Sequence, residues 1–271
     1  MSSWVKDLTM TVAAITAVAI APMATSGQTQ GAVGSGYTPP RTQNGQPDLQ
    51  GIWQALNSAE WDIQAHAAEK GVPAGIGVVE GNEIPYQPWA AARKKENFEN
   101  RLTADPLSKC YRPGVPRITY LSFPFQIFQF PDMVAIVYEY LHYTRFIYTD
   151  GKSTHPDSNV IDFWMGHSLG RWEGNTLVVD TTNFNDQTWF DRAGNFHSDA
   201  LHVVERFTRT SPDVVNYDVS IEDPKVFTRP WKMTMPVYRR QEKDLQLLEY
   251  ECYPDRYDEL EKADEEARKA K

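Results

Sequence analysis

From Pro116 onward, short runs of β-branched and aromatic residues alternate with turn signals, and no long helical segment comes between them. That pattern specifies strands joined by short connections and gives no support to a parallel α/β sheet, which needs a helix between successive strands. The run from Met133 to Tyr148 closes at Asp150-Gly151 and is too long for one strand, so it is expected to contain a bend or hairpin. Ser168–Trp172 and Thr176–Thr181 flank Glu173-Gly174-Asn175, which reads as a tight hairpin. Leu201–Arg209, Val214–Ile221, Trp231–Arg239 and Leu245–Cys252 continue as strands, with turn signals at Ser211-Pro212-Asp213 and Asp223-Pro224. Trp61–Lys70 and Trp89–Arg101 have helical composition. Open sheet edges invite aggregation and closure removes them, so the expectation is a mainly β fold: an antiparallel barrel or strongly curved sandwich, with short N-terminal helices.

Lys6 precedes an apolar run from Leu8 to Met23, followed by the small residues Ala24-Thr25-Ser26-Gly27. This is the layout of a secretory signal peptide over residues 1–27, too short for a bilayer span of about 20 residues. Residues 28–47 are rich in Gly, Ser, Thr, Gln and Pro and read as a flexible linker, 48–254 as one β-rich domain, and 255–271 as a charged tail or helix. Export implies a periplasmic or extracellular location. The two cysteines, Cys110 and Cys252, admit one pairing, and an oxidising compartment favours that disulfide. The 271 residues carry 27 Lys and Arg against 36 Asp and Glu, a net charge of −9. No dense basic block offsets it, which argues against nucleic acid and anionic membranes as partners. No integral membrane span is expected in the mature chain, and the sequence leaves the oligomeric state undetermined.

The segments Pro47-Asp-Leu-Gln-Gly-Ile-Trp53, Cys110-Tyr-Arg-Pro-Gly-Val-Pro-Arg117, Trp164-Met-Gly-His-Ser168 and Gly170-Arg-Trp-Glu-Gly-Asn-Thr-Leu-Val-Val-Asp-Thr-Thr182 resemble a widespread family of exported bacterial β-rich proteins described only as hypothetical. The resemblance spans Asp48 to about Tyr253 and brings no activity with it. Separately, Gly51-Ile52-Trp53 ahead of a series of strands resembles the Gly-x-Trp opening of lipocalin-like barrels. That likeness implies a Trp plugging the closed end and a cavity for a small, largely apolar molecule.

Asn183–Asp199 holds Asp186, Trp189, Asp191, His197 and Asp199 between two strands. A His near carboxylates is the minimal acid/base pair, which makes His197, Asp186 and Asp191 the candidate catalytic residues, with Trp189 as a lid. The plainer reading is a polar loop bonded to its own backbone. If the register of Val134–Tyr148 is unbroken, Tyr138, Tyr140, His142 and Tyr148 share an aromatic face, while Glu139 and Arg145 share the other. His142, Tyr140 and Tyr138 are therefore candidate ligand-binding groups. No zinc motif is present and no cofactor is expected; were a metal to bind, His142, His155 and His167 are the candidate ligands. The chain lacks a Gly-x-Ser-x-Gly elbow, a P-loop and a haem-attachment motif.

These observations favour an exported small-molecule enzyme with non-redox acid/base chemistry (hydrolysis, isomerisation or elimination) in a barrel cavity. The alternatives are a non-catalytic periplasmic binding protein for a small aromatic or apolar ligand, and an envelope assembly subunit. Enzyme and binder both need an enclosed polar and aromatic cavity, only the enzyme needs a His and a carboxylate converging inside it, and an assembly subunit needs neither.

Overall fold

A computed structural model describes residues 37–69, 72–253 and 269. Nine strands form a closed barrel in chain order: β1 (Gly51–Ala55), β2 (Phe125–Gln129), β3 (Met133–Tyr138), β4 (Thr144–Tyr148), β5 (His167–Glu173), β6 (Thr176–Thr182), β7 (His202–Ser211), β8 (Val214–Glu222) and β9 (Trp231–Arg239). An odd number of strands cannot alternate direction all the way round a ring. The parity is resolved at one seam, where β4 and β5 run parallel (Ile147 opposite Ser168), while every other pair is antiparallel. The barrel is thus mixed rather than wholly antiparallel. The connection from Thr149 to Gly166 makes the seam feasible, because a parallel neighbour needs a crossover of a dozen residues or more.

Inward and outward positions alternate most clearly in β7 to β9. Val203, Glu205 and Phe207 point inward, as do Val215, Tyr217, Val219 and Ile221, and then Trp231, Met233, Met235 and Val237; all are buried. One barrel end closes over Trp53, whose Nε1–H donates to the Leu49 carbonyl at 2.8 Å. The Arg239 guanidinium lies 4.4 Å from the Trp53 ring centroid. Gly51 permits this approach: its φ is +128°, and a Cβ there would stand 2.1 Å from Arg239 Nη1. Arg209 reaches across the same end to the carbonyls of Asp48 and Pro212, at 2.8 and 2.7 Å.

The opposite end is built from longer connections. It receives the β3–β4 turn, the starts of β5 and β7, and the long loop between β6 and β7. The α-helices are α1 (Pro88–Glu99), α2 (Arg101–Ala104) and α3 (Arg117–Tyr120), with 3-10 turns at Glu80–Asn82 and Pro106–Lys109. The expected helix at Trp61–Lys70 is absent over its described residues. There the backbone N–H groups of Ile63, Gln64 and Ala65 are taken by Asp191, Asp62 and Asn82 side chains, so side-chain acceptors replace the i−4 carbonyls of a helix. Leu245–Cys252 forms a single bridge, Tyr140 to Tyr250, and is not a strand.

Cys110 and Cys252 form the expected disulfide, joining the C-terminal segment to the loop before α3. This is the cysteine chemistry of an oxidising compartment. No helix among the described residues is long and apolar enough to cross a membrane. The expected signal peptide lies outside the described residues, as does the charged tail apart from Lys269. Of the expected linker, residues 37–47 are described; they include an Arg41–Pro47 bridge and a hydrogen bond from Arg41 Nη2 to Asn175 Oδ1 at 2.8 Å.

Candidate active site

The 133–148 run contains the hairpin that its length required, and the hairpin changes which side chains share a face. Leu141 and His142 both have positive φ (55° and 50°), the signature of a two-residue turn that reverses the chain. Strand parity therefore resets between β3 and β4. Tyr138 and Arg145 both enter the barrel, Tyr148 stays outside, and the continuous aromatic face does not form.

Inside the barrel Arg145 pairs with Glu205 and not with Glu139. Its Nη1 donates to Glu205 Oε1 at 2.9 Å, its Nη2 to Glu205 Oε2 and to Thr181 Oγ1, and its Nε to Ser168 Oγ at 3.0 Å. Tyr217 adds an O–H donated to Glu205 at 2.7 Å. Burial works against the Arg145 charge, but the adjacent Glu205 carboxylate outweighs it and holds the guanidinium protonated. Burial, reinforced by Glu205, holds the Tyr217 phenol well above its ordinary value. Every polar atom of Arg145 and both Glu205 oxygens are engaged, so this layer of the barrel is filled by mutually bonded side chains.

The loop after β6 is equally committed. His197 is buried; its Nδ1–H donates to the Ser198 carbonyl at 2.8 Å and its Nε2 accepts from Thr188 Oγ1 at 2.6 Å. Burial lowers its pKa, and the two bonds suit a neutral ring with neither nitrogen free. Asp186 is exposed and bonds Gln187, while buried Asp191 accepts from Ile63 N at 2.9 Å, Asn195 N at 3.1 Å and Asn195 Nδ2 at 2.6 Å. Burial, aided by the Asp62 charge, pushes Asp191 up to about 7. No hydrogen bond joins His197 to Asp186 or Asp191, although the Asp186 charge is felt at the His197 ring. Trp189 is half-buried and pairs by a bridge with Phe196. Tyr138 is buried with its hydroxyl 3.3 Å from Thr119 Oγ1, and Tyr140 is buried against Phe123 and Tyr250.

A different set of groups converges on the outer face, where β5 to β8 begin or end at the open rim. The Gly174-Asn175 turn sets a register with Leu169 opposite Asp180 and His167 opposite Thr182, which makes His167 and Asp180 diagonal neighbours. His202, at the start of β7, lies beside them and opposite Glu222. His155 comes from the β4–β5 connection. Asp180 accepts from His202 Nε2 at 3.0 Å on one oxygen and from His155 Nε2 at 3.1 Å on the other. His155 Nδ1 lies 3.0 Å from His167 Nδ1. The His167 ring stacks on Tyr148 with centroids 5.8 Å apart, and Phe163 flanks it at 6.1 Å.

The hydrogen-bond order fixes the protons of the neutral relay. Asp180 accepts, so His155 carries its proton on Nε2; its Nδ1 must then accept, and His167 must donate from Nδ1. The lone pair of the chain is left on His167 Nε2, which has no protein hydrogen-bond partner among the described residues. Partial burial and the His155 ring lower the His167 pKa, so Nε2 is unprotonated at neutral pH. The Asp180 hydrogen bond raises His202, and the His202 and His155 bonds keep Asp180 below the ordinary carboxylate range.

Of the suggested metal ligands, His155 and His167 adjoin, whereas His142 is at the β3–β4 tip, 4.0 Å from Glu251. No group of three or more His, Cys, Asp or Glu side chains among the described residues has metal-binding geometry. Sequence reading missed Asp180, although the hairpin register was enough to set it diagonally across from His167. No protein-family model matches the chain, and no curated protein matches it.

Proposed function

We propose that the protein is an exported enzyme of non-redox acid/base chemistry acting on a small molecule, with His167 Nε2 as general base, His155 as its orienting partner and Asp180 as the anchoring carboxylate. The observation that carries this reading is the Asp180–His155–His167 order, which leaves one basic nitrogen at an accessible rim. A base held in one tautomer by a second group, itself oriented by a carboxylate, is the arrangement general-base catalysis needs. No Ser, Thr or Cys side chain is hydrogen-bonded to His167 among the described residues, and the cysteines are consumed in the disulfide. The base therefore acts on a water or on a substrate proton, giving hydrolysis without a covalent intermediate, isomerisation or elimination. Tyr148, Phe163 and the neighbouring exposed Phe146 and Ile161 offer an apolar wall suited to a substrate with an aromatic or aliphatic body.

The test is turnover of a panel of aryl esters, lactones and β-hydroxy carbonyl compounds by the wild type and by His167→Gln. A substrate turned over by the wild type and slowed 10²-fold or more in the variant supports the role; equal turnover removes it. The second reading, ligand carriage without catalysis, is favoured by a cleft at the same rim.

A further inference from the structure

A cleft of about 460 Å³ opens where the β3–β4 tip meets the disulfide-linked segment. Its walls include Tyr111, Arg112, His142, Tyr143, Thr144 and Trp164. Its size is in the range of small-molecule sites. Two features of the walls are independent of the His167 relay. The first is aromatic: the Tyr111 and Trp164 rings lie 5.0 Å apart at 58°, both line the cleft, and Tyr111 is exposed. The second is electrostatic. Arg112 is exposed, stands over the Tyr143 ring at 5.6 Å, and forms no ion pair with a carboxylate among the described residues, in a chain whose net charge is −9. The Glu251 carboxylate near the cleft lies 4.0 Å from His142 Nδ1.

The walls are also held rigidly. The Cys110–Cys252 disulfide ties down the residue beside Tyr111, and the Leu141-His142 tip is a tight two-residue turn. Rigid walls lower the ordering cost of binding.

We infer that this cleft is a binding site for a small anion carrying a flat ring, an aryl carboxylate, with Arg112 receiving the carboxylate and Tyr111 and Trp164 receiving the ring. A guanidinium presents paired N–H donors that match a carboxylate's two oxygens, and an aromatic wall favours a ring over an aliphatic body of equal charge. The site stands whether or not His167 is a base.

Calorimetric titration with 2-naphthoate tests it, with 2-naphthamide and cyclohexanecarboxylate as controls that remove the charge and the ring in turn. The expected result is saturable one-site binding of 2-naphthoate, at least tenfold tighter than either control. Arg112→Gln, at an exposed position, is expected to abolish the preference over the amide, and Trp164→Leu the preference over cyclohexanecarboxylate. His167→Gln is expected to bind 2-naphthoate as the wild type does, which separates this site from the proposed base. Absence of saturation, equal binding of the amide, or unchanged binding in Arg112→Gln would overturn the assignment.

Discussion

The barrel interior and its outer rim each assemble polar groups from several strands, but they end differently. Inside, Arg145, Glu205, Tyr217, Thr181 and Ser168 saturate one another. On the rim, Asp180, His155, His167 and His202 form an open chain that ends on a ring nitrogen with no hydrogen-bond partner among the described residues. The contrast follows from solvent. A buried polar group left unpaired costs more than it contributes, so an interior network must close, whereas a half-exposed one can leave an atom over for a reaction. Closed networks hold a fold together, and an open end is where chemistry can occur.

The contrast breaks most visibly if its interior half is cut. Glu205→Leu leaves Arg145 buried and uncompensated, and a loss of about 3–5 kcal/mol in urea-unfolding stability is expected. The double variant Arg145→Met, Glu205→Leu should recover most of it, because the unpaired charge is gone. On the rim, His167→Gln is expected to change stability by less than about 1 kcal/mol, since half-exposed polar substitutions rarely cost more. A loss there as large as the interior one would erase the distinction.

Much of the barrel was legible because turns and alternation are local. Gly174-Asn175 fixed the β5–β6 hairpin, and β9 falls on the expected Trp231–Arg239. The inward set of β7 follows from period two alone. The parallel seam was not legible, because it depends on where an 18-residue connection, 149–166, runs across the surface. The candidate base was missed for a related reason. His155 arrives from that connection, and no spacing in the sequence says that it will meet His167. The loop holding His197 is rich in candidate groups by composition, yet its buried carboxylate, Asp191, serves backbone N–H groups, and Asp186 and Asp199 bond the side chains of Gln187 and Lys225.

Two aspartates, one interior and one on the rim, couple stability to pH with opposite signs. Asp191, buried and pushed up to about 7, holds a proton in the folded state that it has lost in the unfolded state over the window between about pH 4 and 7. Its contribution is complete below that window and disappears as pH rises through it, with a slope no steeper than about 1.4 kcal/mol per pH unit. Asp180, held below its ordinary range, contributes above pH 4 and loses its contribution as pH falls through its folded value. Urea unfolding between pH 4 and 8 is expected to show a downward component that Asp191→Asn removes and Asp180→Asn leaves in place. The smallest effect expected is in histidine titration: His202 should titrate above and His167 below the ordinary value near 6.5, followed by ring-proton NMR.

The order of hydrogen bonds along the relay leaves its lone pair on His167 Nε2. Long-range ¹H–¹⁵N correlation of the imidazole rings at pH 7.5 reads the tautomers directly. The expected spectrum has His155 protonated on Nε2 and His167 protonated on Nδ1 with a bare Nε2, and Asp180→Asn disturbs both assignments. A His167 ring carrying its proton on Nε2 in the wild type would contradict the account.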